Sequence, residues 1–125
     1  IMEYKEREGV PMNLGGWGEE AAAKYLKKKG YTIVDRNFRC KLGEIDIIAL
    51  DGAELVFVEV KTRRNQNYGL PCEAIGAEKL RRLKRLALYY TVACRAGQRD
   101  TRLDVIEILV REGRAYIHHI ENILG

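Results

Sequence analysis

The chain is short of cysteine, proline and histidine and has no long apolar run, and each shortage argues against a class of protein. Its three cysteines, Cys40, Cys72 and Cys94, are odd in number, widely spaced and contain no CxxC pair. That pattern opposes a disulfide framework or a thiolate zinc site and favours reduced thiols in a cytoplasmic protein. The only histidines, His118 and His119, are adjacent, so a strand would turn them to opposite faces rather than toward one metal. No apolar stretch is long enough to span a bilayer, and no signal-peptide pattern opens the chain, so neither membrane insertion nor secretion is expected. With two prolines, no Ser/Pro-rich tract and no internal repeat, residues 13–125 read as a single domain. Residues 1–12, in which Ile1 precedes Met2, read as a flexible lead-in outside it.

What is present is charge, and its placement matters more than its sum. The formal net charge is +4, yet residues 77–102 alone carry eight basic side chains against two acidic ones, a local +6 that leaves −2 for the rest. Basicity confined to one segment points to an anionic partner met on one side of the molecule.

Periodicity places the elements. A helix is expected over about 17–29, entered from the flexible "NLGG" and stopped by Gly30. "YTIVDRNFR" (31–39) reads as a strand bent near Asp35, and "EIDIIAL" and "ELVFVEVKT" as strands flanking an Asp51-Gly52 hairpin. Residues 63–76 have the Gly, Pro and Asn content of a long loop. A second helix follows from Ala77 to about Ala96, with Leu80, Leu83, Ala87, Tyr90 and Cys94 at helical spacing. "TRLDVIEILV" and "AYIHHI" are the last strands. The order α-β-β-β-α-β-β implies an α/β fold, a central mixed sheet flanked by helices.

Within the hairpin, Asp46, Glu59 and Lys61 are charges on otherwise apolar strands. If Asp51-Gly52 is a two-residue loop, Asp46 opposes Phe57 and lies diagonal to Glu59; if the loop has four residues, Leu50 pairs with Leu55 and Asp46 opposes Glu59. Alternation puts the three charges on one face in either register, with the carboxylates roughly 4.5–8 Å apart at Cβ. Facing carboxylates destabilise a sheet unless a cation lies between them, and Mg²⁺ is commonly held by one or two carboxylates with waters and phosphate oxygens. Lys61 could then orient or deprotonate a water, or steady a phosphate. Glu19 adds a third acid by a separate route, since it falls in the apolar stripe of Ala22, Ala23 and Leu26, whereas Glu20 falls with Lys24 and Lys27 on the polar face. An acid buried without a partner costs several kcal/mol, so Glu19 should meet a metal or a cation. Glu44 shares Asp46's face in this reading and is either accessory or exposed. Asp104, an acid among apolar neighbours, suits a hydrogen-bonded structural role better than a ligand role.

"GGWGEEAAAKYLKKKGY" (15–31), "RN" (36–37), "GEIDII" (43–48), "FVEVKTR" (57–63) and "RLDV" (102–105) together resemble the YraN-like family of the PD-(D/E)XK nuclease superfamily. They are similar, more distantly, to archaeal Holliday-junction resolvases. The resemblance implies a restriction-endonuclease-like α-β-β-β-α-β core and assigns catalytic roles to Glu19, Asp46, Glu59 and Lys61. It implies Mg²⁺ or Mn²⁺ held by Asp46, Glu59 and Glu19, to which the Val60 backbone carbonyl could add. Ile45 stands where the eponymous proline would be, which leaves the aspartate's chemistry intact.

The expected activity is metal-dependent hydrolysis of phosphodiesters in DNA rather than RNA, at branched or otherwise structured sites. Lys79, Arg82 and Arg85, spaced i, i+3, i+6 on the second helix, and Arg63 beyond the lysine of the motif, are the candidate phosphate contacts. A homodimer is implied by resemblance to the resolvases. Two rivals are a nucleic-acid-binding module that keeps the fold but turns over little or not at all, and a structural protein whose acids form a hydrated face.

Overall fold

In a computed structural model of the chain, residues 2–4, 14–64, 76–94 and 99–123 are described. The elements run β1 (Met2–Tyr4), α1 (Leu14–Lys28), β2 (Thr32–Cys40), β3 (Gly43–Asp51), β4 (Glu54–Arg64), α2 (Ala77–Ala93), β5 (Thr101–Arg111) and β6 (Arg114–Ile120). The α-β-β-β-α-β order is that of the restriction-endonuclease-like core, here α1-β2-β3-β4-α2-β5. Residues 65–75 of the expected loop, with Cys72, lie outside the described residues, and Cys40 and Cys94 are free thiols.

The strands form one sheet in the order β1-β6-β5-β4-β3-β2. Among the described residues, only β4 and β5 pair in parallel, because α2 carries the chain back across the sheet between them; the remaining neighbours are antiparallel. Met2–Tyr4, assigned from the sequence to a lead-in outside the fold, is an edge strand on β6. Such an edge is made by main-chain groups and leaves little trace in three side chains.

The helices take opposite faces. Ala21, Ala22, Tyr25 and Leu26 of α1 pack on Ile47, Ala49, Val56, Val58, Ile106 and Ile108. Leu83, Leu86 and Tyr90 of α2 pack on Ile45, Ile48, Leu55, Phe57 and Leu103. Covered from both sides, β5 is buried continuously from Arg102 to Ile108, so its apolar residues fall on both faces and its charged Arg102, Asp104 and Glu107 are buried with them.

Two local features steer α1 toward β4. The helix begins at Leu14, three residues earlier than periodicity indicated, so "LGG" is helical rather than a lead-in. Gly18 then lies so close to β4 that a Cβ there would come within 1.8 Å of Thr62 Oγ1 and 2.9 Å of Thr62 Cβ. A helical glycine costs about 1 kcal/mol relative to alanine, and here it is what allows the helix to approach the strand.

Candidate metal centre

The hairpin register pairs Leu50 with Leu55 and Asp51 with Glu54, leaving Gly52 (φ 62°) and Ala53 as the turn. This is the register that sets Asp46 across from Glu59. The ladder nevertheless gives way beyond Ile47↔Val58, and the Val60 N–H donates instead to Asp46 Oδ2 at 2.8 Å. A carboxylate thus enters the seam between two strands and takes over a main-chain donor.

The pleat also slips at this point. Ile45 and Ile48 both face α2, while Ile47 and Ala49 face α1, so strict alternation fails between residues 45 and 48. On the neighbouring strand the pairing passes from Arg36↔Ile47 to Phe38↔Ile45, skipping Asn37 and Asp46, and Asn37 has a φ of 54°. Asparagine tolerates that conformation better than most residues. A separate register shift between Ile33 and Asp35 supplies the bend expected near Asp35.

The slip gathers Glu44 and Asp46 with Glu19. One carboxylate oxygen from each lies within 4.8 Å of the others, a group of three acids that could hold a metal ion. The Asn37 amide lies between two of them, and the orientation that satisfies its hydrogen bonding turns its nitrogen to donate to Glu19 Oε1 at 3.0 Å and Glu44 Oε1 at 3.1 Å. Arg36 bonds Glu20 at 3.1 Å and Arg39 bonds Glu44 at 2.9 Å, so guanidinium groups fringe the cluster. Glu20 is thus paired with Arg36 of β2 rather than with Lys24 one turn along its own helix.

Electrostatics record the crowding. Burial, joined by the Glu59 and Glu19 carboxylates, pushes Asp46 up to about 7 against the lowering effect of the Val60 N–H. Burial and then Glu44 raise Glu19, with Arg36 opposing. Hard oxygen donors confined with excess negative charge suit a hard divalent cation.

Glu59 and Lys61 lie toward the other face. Val60 packs into the α1 core, so its neighbours point toward α2, where Lys79 forms an ion pair with Glu59 Oε2. Burial and then the adjacent Lys79 ammonium lower the pKa of Lys61, while Glu59 and Asp46 raise it. The expectation of one shared face for Asp46, Glu59 and Lys61 is corrected: Asp46 lies in the seam, between an acidic group on the α1 side and an acid–lysine group on the α2 side. The pleat slip is the reason, and strand alternation gives no sign of it.

The candidate phosphate contacts divide as well. Arg82 and Arg85 are exposed on α2, and Arg82's aliphatic stem lies over Gly43 at the β2–β3 turn. Lys79 is held by Glu59, and Arg63 donates to the buried Glu107 at 2.6 Å. Asp104 has the structural role expected of it, accepting bonds from Arg102 (2.9 and 3.0 Å) and the Asn122 N–H (2.9 Å), with His119 Nε2 at 2.7 Å. Burial alone would raise its pKa; the bonds from His119, Arg102 and Asn122 hold it below the ordinary value. The adjacent histidines separate as a strand requires, His119 onto Asp104 and Tyr25, and His118 opposite Glu107 on β5.

Sequence reasoning missed Asn37 and Gly18. Asn37 stood in the "RN" pair of the family pattern, and Gly18 was a helix-weakening residue inside an otherwise strong helical pattern; both signals were visible without an assigned role.

Residues 18–108 match the family described as "Uncharacterised protein family UPF0102". The chain belongs to this family. Two curated UPF0102 proteins are similar over most of their length. That of Alkaliphilus metalliredigens is 47% identical over 110 residues, covering 88% of this chain and 96% of the relative. That of Caldicellulosiruptor saccharolyticus is 55% identical over 95 residues, covering 76% and 80%. UPF0102 is the YraN-like group named by the motifs, a PD-(D/E)XK nuclease-like family. A solved structure of Pyrococcus furiosus SfsA in complex with Ca²⁺ matches with a TM-score of 0.48 and 13% identity, covering 95% of this UPF0102 chain and 75% of that one. No described helix is long and apolar enough to cross a membrane.

Proposed function

We infer that this UPF0102 member is a cytoplasmic, Mg²⁺- or Mn²⁺-dependent endonuclease that hydrolyses phosphodiesters in DNA, with branched or structured DNA as its preferred substrate. The observation that carries the reading is the convergence of Glu19, Glu44 and Asp46, from one helix and one strand, to within 4.8 Å of one another. Asp46 and Glu19 would hold the ion, with Glu44 joining them and Glu59 reaching the same seam from the α2 side. When bound, the ion would polarise the scissile phosphate and acidify a coordinated water.

The chain's own side chains supply the rest. Lys61, whose pKa is held below the ordinary value, can accept a proton from an attacking water as the neutral amine, or donate a hydrogen bond to a phosphate oxygen as the ammonium. Asn37 keeps Glu19 and Glu44 in position through its amide. Arg82 and Arg85 offer exposed guanidinium groups to the phosphate backbone, which gives affinity without reading sequence. A homodimer would present two such sites to a branched substrate.

The test is a cleavage panel of single-stranded, duplex, flapped and four-way DNA, and RNA, with Mg²⁺ or Mn²⁺. The parent should cut at least one DNA substrate, and Asp46→Asn and Lys61→Ala should not. Intact substrates throughout would sink the reading, and unchanged binding by both variants would then favour a nucleic-acid-binding module.

A further inference from the structure

Lys79 was expected to contact phosphate, yet the structure directs it inward. Its side chain is only 29% exposed and pairs with Glu59, whose side chain is 8% exposed. Glu59 is the acid that faces Asp46 across the seam, and Lys79 also lies against Lys61. The ammonium therefore supplies the positive charge that a buried carboxylate beside two other acids requires. Lys79 sits in the first turn of α2, followed three and six residues later by the exposed Arg82 and Arg85. A lysine stem is long and flexible enough to hold a carboxylate in one rotamer and reach solvent in another.

We propose that Lys79 is a resident counter-ion that competes with the divalent cation for Glu59, and that metal loading releases it to join Arg82 and Arg85 on the phosphodiester backbone. The proposal rests on the metal-centre reading above and adds a coupling to it: ion binding and nucleic-acid binding each favour the other because both draw on Lys79. Such coupling is reciprocal by linkage, so DNA should tighten metal binding by the factor by which metal tightens DNA binding.

Two measurements test this without any cleavage assay. In the first, Mn²⁺ binding to the intact chain is titrated by electron paramagnetic resonance for the parent, Lys79→Met and Lys79→Arg. Lys79→Met should bind Mn²⁺ about fivefold more tightly, the equivalent of losing a competing ion pair of about 1 kcal/mol, and Lys79→Arg should stay near the parent value. In the second, the parent is labelled with an amine-reactive acetylating reagent, and modification of Lys79 is followed by mass spectrometry. Labelling should rise severalfold at saturating Mn²⁺ and fall again when duplex DNA is added.

Unchanged Lys79 labelling at saturating Mn²⁺, in a parent that binds the ion, overturns the proposal while leaving the metal centre standing. Equal or weaker Mn²⁺ binding by Lys79→Met does the same. Absence of Mn²⁺ binding in both proteins overturns the metal centre and the proposal together. If Lys79→Met does not fold, the labelling of the parent decides alone.

Discussion

Gly18→Ala tests whether the approach of α1 to β4 is as close as the geometry indicates. An added Cβ would sit 1.8 Å from Thr62 Oγ1, 2.9 Å from Thr62 Cβ and 3.2 Å from Thr62 Cγ2. Rotating Thr62 moves Oγ1 and Cγ2 but not Cβ. Since carbon–carbon contacts settle near about 3.5–4.0 Å, the helix must lift from the strand by about 0.6 Å or more. Overpacking of this kind costs about 1–3 kcal/mol, with the branched neighbour placing this case at the upper end. Alanine returns about 1 kcal/mol through helix propensity, leaving a net loss of about 2 kcal/mol. For a chain of this length that lowers Tm by about 6–12 °C in a thermal melt followed by circular dichroism. Gly16→Ala is the internal control, because nothing lies within 4 Å of its Cβ position; it should be neutral or gain up to about 1 kcal/mol. Thr62→Ala should recover part of the Gly18→Ala loss in a double-mutant cycle, the Cβ contact remaining. Because Glu19 follows Gly18 on the helix, Gly18→Ala should also reduce the rise in Tm produced by Mn²⁺. A Gly18→Ala protein as stable as the parent would refute the reasoning, since propensity would then have prevailed over a contact that is not there.

Asp46→Asn should raise the metal-free Tm most at pH 8, less at pH 5, and little only below about pH 4, where the carboxyl is protonated in both the folded and the unfolded chain. With its folded pKa pushed up to about 7, Asp46 contributes stability at low pH that is lost as pH rises through that value, and asparagine can still accept the Val60 N–H. Asp104→Ala should cost about 3 kcal/mol in denaturant unfolding, because it strips a buried ion pair and leaves Arg102 and His119 short of an acceptor. Since Asp104's folded pKa lies below its ordinary value, that loss should be full at neutral pH and narrow as pH falls through the carboxylate range. Arg82→Ala with Arg85→Ala should weaken DNA binding and flatten the plot of log affinity against log salt by about 0.9 per lost phosphate contact, with no change in the preferred DNA structure.

Much of this was legible because the signals are local. A hairpin declares itself by alternation and an Asp-Gly turn, and Glu19 was marked as a site residue simply by occupying a core position on an amphipathic helix. Asp104 among apolar neighbours had to be hydrogen-bonded, and it is, by residues two, fifteen and eighteen positions away. The parity of Asp46 was not legible. Ile45, Asp46, Ile47 and Ile48 look like regular alternation, and only packing against two helices shows that Ile45 and Ile48 share a face. Asn37 could not be placed on Glu19 and Glu44 for the same reason, since its role depends on a backbone irregularity.

By itself, then, the sequence determined the element order from α1 onward, the central mixed sheet, the family and the list of acids and lysines on which any chemistry must rest. Those follow from periodicity, turn residues and the cost of burying charge, all of which operate within a few residues of one another. The tertiary structure alone decided which acids meet. A slipped pleat sends Glu44 and Asp46 toward Glu19, a missing Cβ at Gly18 brings that helix within reach, and α2 returns across the sheet to set Lys79 on Glu59. Each depends on elements distant in the chain fitting against one another, and no local pattern encodes that fit.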